Sequence, residues 1–500
     1  MILRPQVQDI KIVGQYSGRI ILGLGLLMLI PLLVAVCFGE TAAALDFVIG
    51  ASFCLSAGYV LIILCFTRKE LTWKHGMVVV SLSWLLAMFF GAIPLYLSRH
   101  WASFLDACFD AMSGFATTGL TLVQDLDHLS HAHNMWRHLT MYIGGQGIMI
   151  VALTFLIRGA GSALPIYIGE ARDEKVLPNV VQTARFIWLV SLVYLLMGTL
   201  ALSFTAFSCG MPGLKSFLHG LWVAMAAWDT GGFAPQSQNI LYYHNFTFEL
   251  ITISLMLLGS LNFRLHYALW AGKRKEIFRN IETVSFFISA MLLFSLTAWG
   301  LTCGGVYPGA LSLFRKGFYQ VISAHTGTGY MTIHPQQFVR HWSSLSLMGV
   351  TLCMAIGAGA CSTAGGIKIL RIGIIFRTLL QDIKRTMLPR SAVVMDKIHH
   401  IKDVVLGEKV IRQVALITLA YIFLYLLGTL VGISLGYPLR LALFESVSAG
   451  ANVGLSCGIT QPSMPAVLKL TYIFQMWAGR LEFVSVFALL GTVIALVRGR

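Results

Sequence analysis

Long apolar runs separated by short polar stretches dominate the chain. One run, "IILGLGLLMLIPLLVAVCF" from Ile20, is long enough for an α-helix to cross a hydrocarbon core of about 30 Å. It is too long for a signal-peptide core and carries no convincing small-residue cleavage site, so it reads as a retained span. The same pattern predicts spans at 17–37, 47–67, 75–98, 136–157, 183–207, 245–270, 281–303, 341–384, 409–435 and 467–497. Glycines interrupt the 341–384 span between Gly357 and Gly366, whereas the corresponding segments elsewhere keep a more helical pattern.

Four of the polar stretches are related. "SGFATTGLT" from Ser113, "AAWDTGGFA" from Ala226, "SAHTGTGYM" from Ser323 and "SAGANVGLS" from Ser448 align on Gly119, Gly232, Gly329 and Gly454. A bulky residue follows each glycine (Leu120, Phe233, Tyr330, Leu455), and an aromatic stands ten positions before it (Phe109, Trp222, Tyr319, Phe444). The next span then carries M-x-x-G, ending at Gly144, Gly259, Gly357 and Gly479. Two linked motifs at nearly constant spacing, four times over, mark a repeated unit. Each unit reads helix, short helix, glycine loop, helix.

The short helix, about ten residues such as Asp106 to Phe115, is only about 15 Å long and crosses half of the hydrocarbon core. Its loop therefore ends at membrane depth, where irregular backbone is tolerated only against protein or a wet cavity. Four such loops can surround one axis. Each short helix aims its partly negative C-terminal end at that axis. Loop carbonyls can then replace the water of a dehydrated cation, with glycine supplying the backbone freedom. The alternative is four ordinary helix-connecting turns.

Composition agrees with a membrane protein: of 500 residues, 57% are hydrophobic and 11% charged. Nine scattered cysteines without a CxxC pair suggest neither a disulfide framework nor a zinc site, although Cys209 and Cys303 could meet outside the membrane. The net charge of +15 sorts by side. With the N-terminus inside, 27 of the 36 Lys and Arg fall inside and 8 outside, while Arg480 alone falls within a span. That bias is the positive-inside rule of an inner or plasma membrane protein, so the charge requires no nucleic-acid partner.

With these motifs in place, the chain resembles the Trk/Ktr/HKT superfamily of potassium transporters, and most closely the bacterial Trk-type uptake subunit. "TTGLT" from Thr117 and "NVGLS" from Asn452 resemble the first and fourth family filters. "GACSTAGGIKILRI" from Gly359 resembles the intramembrane loop below the filter, and "GRLEF" from Gly479 the fourth second helix, whose arginine lies near that loop. The resemblance implies an all-α polytopic fold: four pseudo-symmetric M1–P–M2 repeats around one pore, after two extra N-terminal helices. The expected divisions are 1–70 for the pair and 71–182, 183–280, 281–408 and 409–500 for the repeats.

It implies channel-like potassium uptake in a bacterial inner membrane with both termini cytoplasmic. It also implies a homodimer and a cytosolic, RCK-type regulatory partner that alone carries the nucleotide, docked on the basic segments 158–182, 272–282 and 385–409. The same segments can instead anchor on anionic lipids. The expected filter comprises Thr117, Thr118, Gly119, Thr230, Gly231, Gly232, Gly327, Thr328, Gly329, Asn452, Val453 and Gly454, holding a potassium ion as cargo. The expected gate comprises Gly357, Gly359, Ser362, Thr363, Gly365, Gly366, Lys368 and Arg480.

Arg480 is read as a pore-facing barrier or latch, with a structural ion pair to Glu482 or another acid as the alternative. Asp110, Asp229 and Glu445 beside the filter either focus cations or prop the short helices. His325 either titrates or packs. No cofactor motif or nucleophile–base pattern indicates an enzyme. A coupled sodium or proton symporter, using the broken 341–384 helix as its site, is the remaining alternative. Alternating-access folds commonly show two inverted repeats, however, and this chain has four of one orientation.

Overall fold

The computed structural model describes residues 6–147, 180–389 and 397–498. The second half of the 136–157 span, most of segment 158–182 and residues 390–396 lie outside the described residues.

Two N-terminal helices come first. Val7–Leu27 runs on as Leu29–Cys37, and Thr41–Leu64 returns beside it. Four units of one plan follow. Their first helices are Trp73–Leu97, Val180–Ser208, Ile281–Cys303 and Glu408–Ser434. Their pore helices are Phe104–Phe115, Gly213–Trp228, a segment closing in Tyr319–His325, and Leu439–Gly450. The third is entered through a π-helical turn, Leu313–Phe318. Their second helices begin at His131, Phe246, Ser344 and Ala466.

Burial separates the two kinds of helix. Pore helices are buried on every side toward their C-terminal ends, and the aligned aromatics Phe109, Trp222, Tyr319 and Phe444 are at most 2% exposed. The long first helices instead leave Leu, Ile and Phe side chains exposed on one face, as at Phe204, Leu292 and Phe423. In a bilayer that face meets lipid tails.

The structure corrects one expectation. The 341–384 span is interrupted as expected, between Ser344–Ile356 and Ile369–Thr386. The 245–270 span, however, also bends, by 100° between Gly259 and Phe263, and the 467–497 span bends by 116° between Arg480 and Val484. In the first repeat the helix stops at Gln146, and Gly147 takes φ +93°. Every second helix therefore stops at, or within two residues of, its M-x-x-G glycine.

A glycine-sized approach lies at each stop. A methyl group on Gly144, Gly259 or Gly479 would strike the carbonyl oxygen of Phe115, Trp228 or Gly450, the last helical residue of the same unit's pore helix. The conserved spacing of the two motifs in this chain is thus the distance along the chain between two backbones that touch. At Gly357 the obstructing oxygen belongs to Gly365 of the intramembrane loop.

A small antiparallel hairpin, Lys397–His400 with Lys402–Val405, lies on the polar side between the third and fourth units. Among the described residues it is the only sheet. There Asp403 and then Glu276 hydrogen-bond His399 and raise its imidazole above the usual pKa. The nine cysteines are all free, so Cys209 and Cys303 do not pair.

Candidate functional site: a four-loop ring and the loop beneath it

Each pore helix ends in the same cap. The first residue of the filter triplet donates its N–H three residues back: Thr117 to Gly114, Thr230 to Ala227, Gly327 to Ala324 and Asn452 to Ala449, at 3.0–3.3 Å. The second donates five residues back: Thr118 to Ser113, Gly231 to Ala226, Thr328 to Ser323 and Val453 to Ser448, at 2.8–2.9 Å. These two bonds form a Schellman motif, whose cap residue must be left-handed. Thr117, Thr230 and Asn452 accordingly have φ of 51°, 49° and 56°, and Gly327 has 75°. Two β-branched threonines in this conformation are strained, by about 1–3 kcal/mol each. The third repeat meets the same demand with glycine.

The aligned glycines are left-handed again, at φ 90°, 74°, 84° and 94°, while the residue between is not. This alternation turns the loop in a tight arc. It also closes a ring. A methyl group on Gly119 would strike the carbonyl oxygen of Gly231, one on Gly232 that of Thr328, one on Gly329 that of Val453, and one on Gly454 that of Thr118. Each glycine therefore nests against the middle residue of the next unit's triplet, in the order 1, 2, 3, 4 and back to 1. All twelve residues expected for the filter are brought together, and the side chains of Thr117, Thr118, Thr230, Thr328, Asn452 and Val453 are fully buried. Tyr330 buttresses the ring by donating its hydroxyl to the carbonyls of Val223 and Phe233, at 3.0 and 3.2 Å.

The segment Gly357–Lys368 lies against the bases of these loops. Thr363 Oγ1 donates to the carbonyl of Gly259 at 2.9 Å, has that of Trp228 at 3.2 Å, and meets Thr230 Oγ1 at 3.1 Å. A methyl group on Gly327 would contact Ala364 at 3.5 Å, and one on Gly365 would strike the Ala451 carbonyl. Ser362 bonds back to Gly359, and Lys368 Nζ to the Ala364 carbonyl, which holds the segment's fold. The segment thus touches the second, third and fourth units directly.

Residues 44–493 match the family model described as TrkH, cation transport protein. The chain belongs to the TrkH cation transport family. It is 33% identical over 492 residues to an uncharacterized cation transporter of Methanocaldococcus jannaschii, covering 98% of this chain and 97% of the other. It is 28% identical to the Trk system potassium uptake protein TrkG of Escherichia coli, over 96% of this chain and 97% of that one. The crystal structure of the potassium transporter TrkH from Vibrio parahaemolyticus superposes with a TM-score of 0.81 at 24% identity, covering 96% of this chain and 98% of that chain. The fold is therefore the TrkH fold, a transporter architecture.

In this TrkH-family chain Arg480 completes the contacts of the intramembrane segment. Its guanidinium donates to the Thr363 carbonyl at 2.6 Å and to the Gly144 carbonyl of the first unit at 2.7 Å. It therefore bridges the segment to the fourth meeting helix end. Glu482 is bound by Arg371, at the start of the helix that follows the segment. Other basic side chains are buried as well. Arg137 and Lys469, counted outside, are 1% and 7% exposed, and Lys368, counted inside, is 7% exposed.

The three filter-adjacent acids are buried and hydrogen-bonded. Asp110 accepts from Thr121 Oγ1 and the Leu122 N–H, both at 2.6 Å, with Arg137 Nε at 3.7 Å. Glu445 accepts from the Ser456 hydroxyl and the N–H groups of Cys457 and Ile459. Asp229 accepts from Gln146 Nε2 at 2.8 Å. Asp110 and Glu445 thus pin the chain just beyond their pore helices, whereas Asp229, capping its helix, holds the end of the first unit's second helix. His325 packs at 4.4 Å from the Phe286 ring and bonds Ser289 at 2.7 Å.

Sequence reasoning missed Glu282. Its carboxylate accepts from the Ala360 N–H at 2.6 Å and from Asn262 Nδ2 at 3.2 Å, with His400 of the hairpin 3.8 Å away. It joins the polar-side hairpin to the intramembrane segment. The available signal was an acid in the first turn of an apolar span; it was absorbed into the polar segment 272–282.

Proposed function

We propose that this chain conducts potassium inward through a channel-like pore, with the four-carbonyl ring as its selectivity filter and Gly357–Lys368 with Arg480 as its gate. The observation that carries the reading is the closed ring of glycine-to-carbonyl contacts, to which all four units contribute equivalent residues. Backbone carbonyls at such a ring can replace the hydration shell of a cation. The names of the uptake-protein relatives supply the ion. A gate in the segment below is supported by its contacts with the second, third and fourth units and by the Arg480 bonds that tie it to the first.

The proposed setting is a bacterial inner membrane with both termini cytoplasmic. The bias of Lys and Arg toward one side of the spans supports that orientation. The proposed assembly is two chains, one pore each, with an RCK-type regulatory partner docked on the basic polar side near 272–282 and the 397–405 hairpin. The proposed divisions remain 1–70, 71–182, 183–280, 281–408 and 409–500.

The test is ion flux into proteoliposomes holding only this chain, with potassium, rubidium, sodium and a proton gradient varied separately. Uptake of potassium and rubidium without a sodium or proton requirement is expected; a strict requirement for either gradient would establish symport instead. Gly119→Ser and Gly454→Ser must displace the Gly231 or Thr118 carbonyl. Both should lower potassium/sodium discrimination or abolish uptake. Unchanged discrimination in both variants would overturn the filter assignment.

A further inference from the structure

A cavity borders the intramembrane segment. It measures about 580 Å³ and is walled by the start of the first unit's first helix, the helix after the intramembrane segment, the fourth unit's first helix and the break at residues 481–483. Such a volume falls within the range of about 300–1,000 Å³ typical of ligand sites.

Its walls and its floor differ. Around its mouth, Trp73, Leu416 and Phe487 are 46%, 59% and 61% exposed. These apolar side chains belong to lipid-facing helices, so the mouth opens sideways into the bilayer. Trp73, the first residue of its helix, sets that mouth near headgroup depth, where tryptophan is enriched. The floor carries three charged groups, Lys368, Arg371 and Glu482, with a net charge of +1. It also reaches Ala360 and Cys361 of the intramembrane segment.

We propose that this cavity binds one anionic phospholipid from the surrounding leaflet, its phosphate against Arg371 and Lys368 and an acyl chain along Leu416 and Phe487. An occupant entering from the bilayer through an apolar mouth must itself carry hydrocarbon. A floor with two cations to one anion selects an acidic head, and a guanidinium suits a phosphate by its forked donors. Basic pockets between membrane helices are a recognised setting for acidic headgroups. The bound head competes with Glu482 for Arg371. Glu482 sits at φ 51° in the break directly after Arg480 and Leu481, so the lipid acts on the residues that hold the intramembrane segment.

The measurement is native mass spectrometry of the full chain in detergent with phosphatidylglycerol or phosphatidylcholine of matched acyl chains. One phosphatidylglycerol per chain should survive activation that strips phosphatidylcholine. Arg371→Gln should weaken retention about fivefold, the worth of one basic contact at a membrane surface. Gln413→Glu places a negative charge on the cavity wall at an exposed position and should weaken it similarly, which covers the case that Arg371→Gln fails to fold. Equal retention of the two lipids, or retention unchanged in Gln413→Glu, overturns the proposal. So does inorganic phosphate binding with the same variant pattern, or a second copy of the chain displacing the adduct. Retention is read without flux, so it stands or falls separately from the potassium reading. If both hold, phosphatidylglycerol should alter flux in the parent and not in Gln413→Glu, whereas a bulk surface-charge effect would persist in both.

Discussion

At the scale of single residues, conformation rather than side-chain chemistry defines the ring. Thr117, Thr230 and Asn452 share no functional group with Gly327, yet all four occupy one left-handed cap position. Gly327 stands where the first repeat has the larger Thr117, yet its backbone takes the same left-handed turn. Arg480 is the residue where chemistry does decide. It donates to two carbonyls from different units, and charged hydrogen bonds of this kind contribute about 1.5–3 kcal/mol each. If Arg480 lies on the proposed conduction path, its fixed charge also repels cations there. Arg480→Gln should therefore lower the detergent melting temperature modestly and raise vesicle flux. Lower stability with no gain in flux would defeat the latch assignment and leave Arg480 purely structural.

At the scale of elements, three of the four second helices share one constraint. In repeats one, two and four the second helix passes so close to its own pore helix that only glycine fits, and in repeats two and four the chain bends just after that contact. In repeat three an inserted segment takes the place of that contact and reaches under the ring. Thr363 is its main polar attachment, serving the carbonyls of Trp228 and Gly259. Thr363→Val keeps the shape and removes the hydroxyl, at a cost of about 1–3 kcal/mol for carbonyls left short of a partner. If the segment is the gate, this variant should fold and conduct faster than the parent, as should deletion of Ala360 to Ala364. Normal folding with unchanged conduction in both would count against gating by this segment.

At the scale of the whole molecule, the ring survives only if the units stay docked, and ion pairs tie them. Buried Lys469 of the fourth unit meets Asp106 of the first unit's pore helix at 2.5 Å, and the half-buried Arg315 of the third unit meets Glu249 of the second at 2.6 Å. Removing one member of the Lys469–Asp106 pair strands a buried charge, at about 3–5 kcal/mol. Lys469→Met should thus lower thermal stability markedly and loosen potassium/sodium discrimination, while Asp106→Leu with Lys469→Met should recover most of the stability. An unchanged melting temperature in the single variant would show that this pair does not hold the first and fourth units together.

The repeated architecture was legible in the sequence because each unit must solve the same local problems: a half-membrane helix, a cap with a left-handed residue, and a glycine where two backbones touch. Those demands act through residues close along the chain, and they leave fixed spacings. The closure of the ring was not legible, because each contact joins residues of neighbouring units, up to 336 positions apart between Thr118 and Gly454. Nor were the breaks in the second and fourth units, since "MLLGSLNF" and "MWAGRLEF" are apolar enough to read as continuous helix. The buried fates of Arg137 and Lys469 escaped for the same reason: a charge beside a span looks solvated until the tertiary fold brings an acid against it. Local backbone geometry writes itself into sequence spacing; partners chosen across the fold do not.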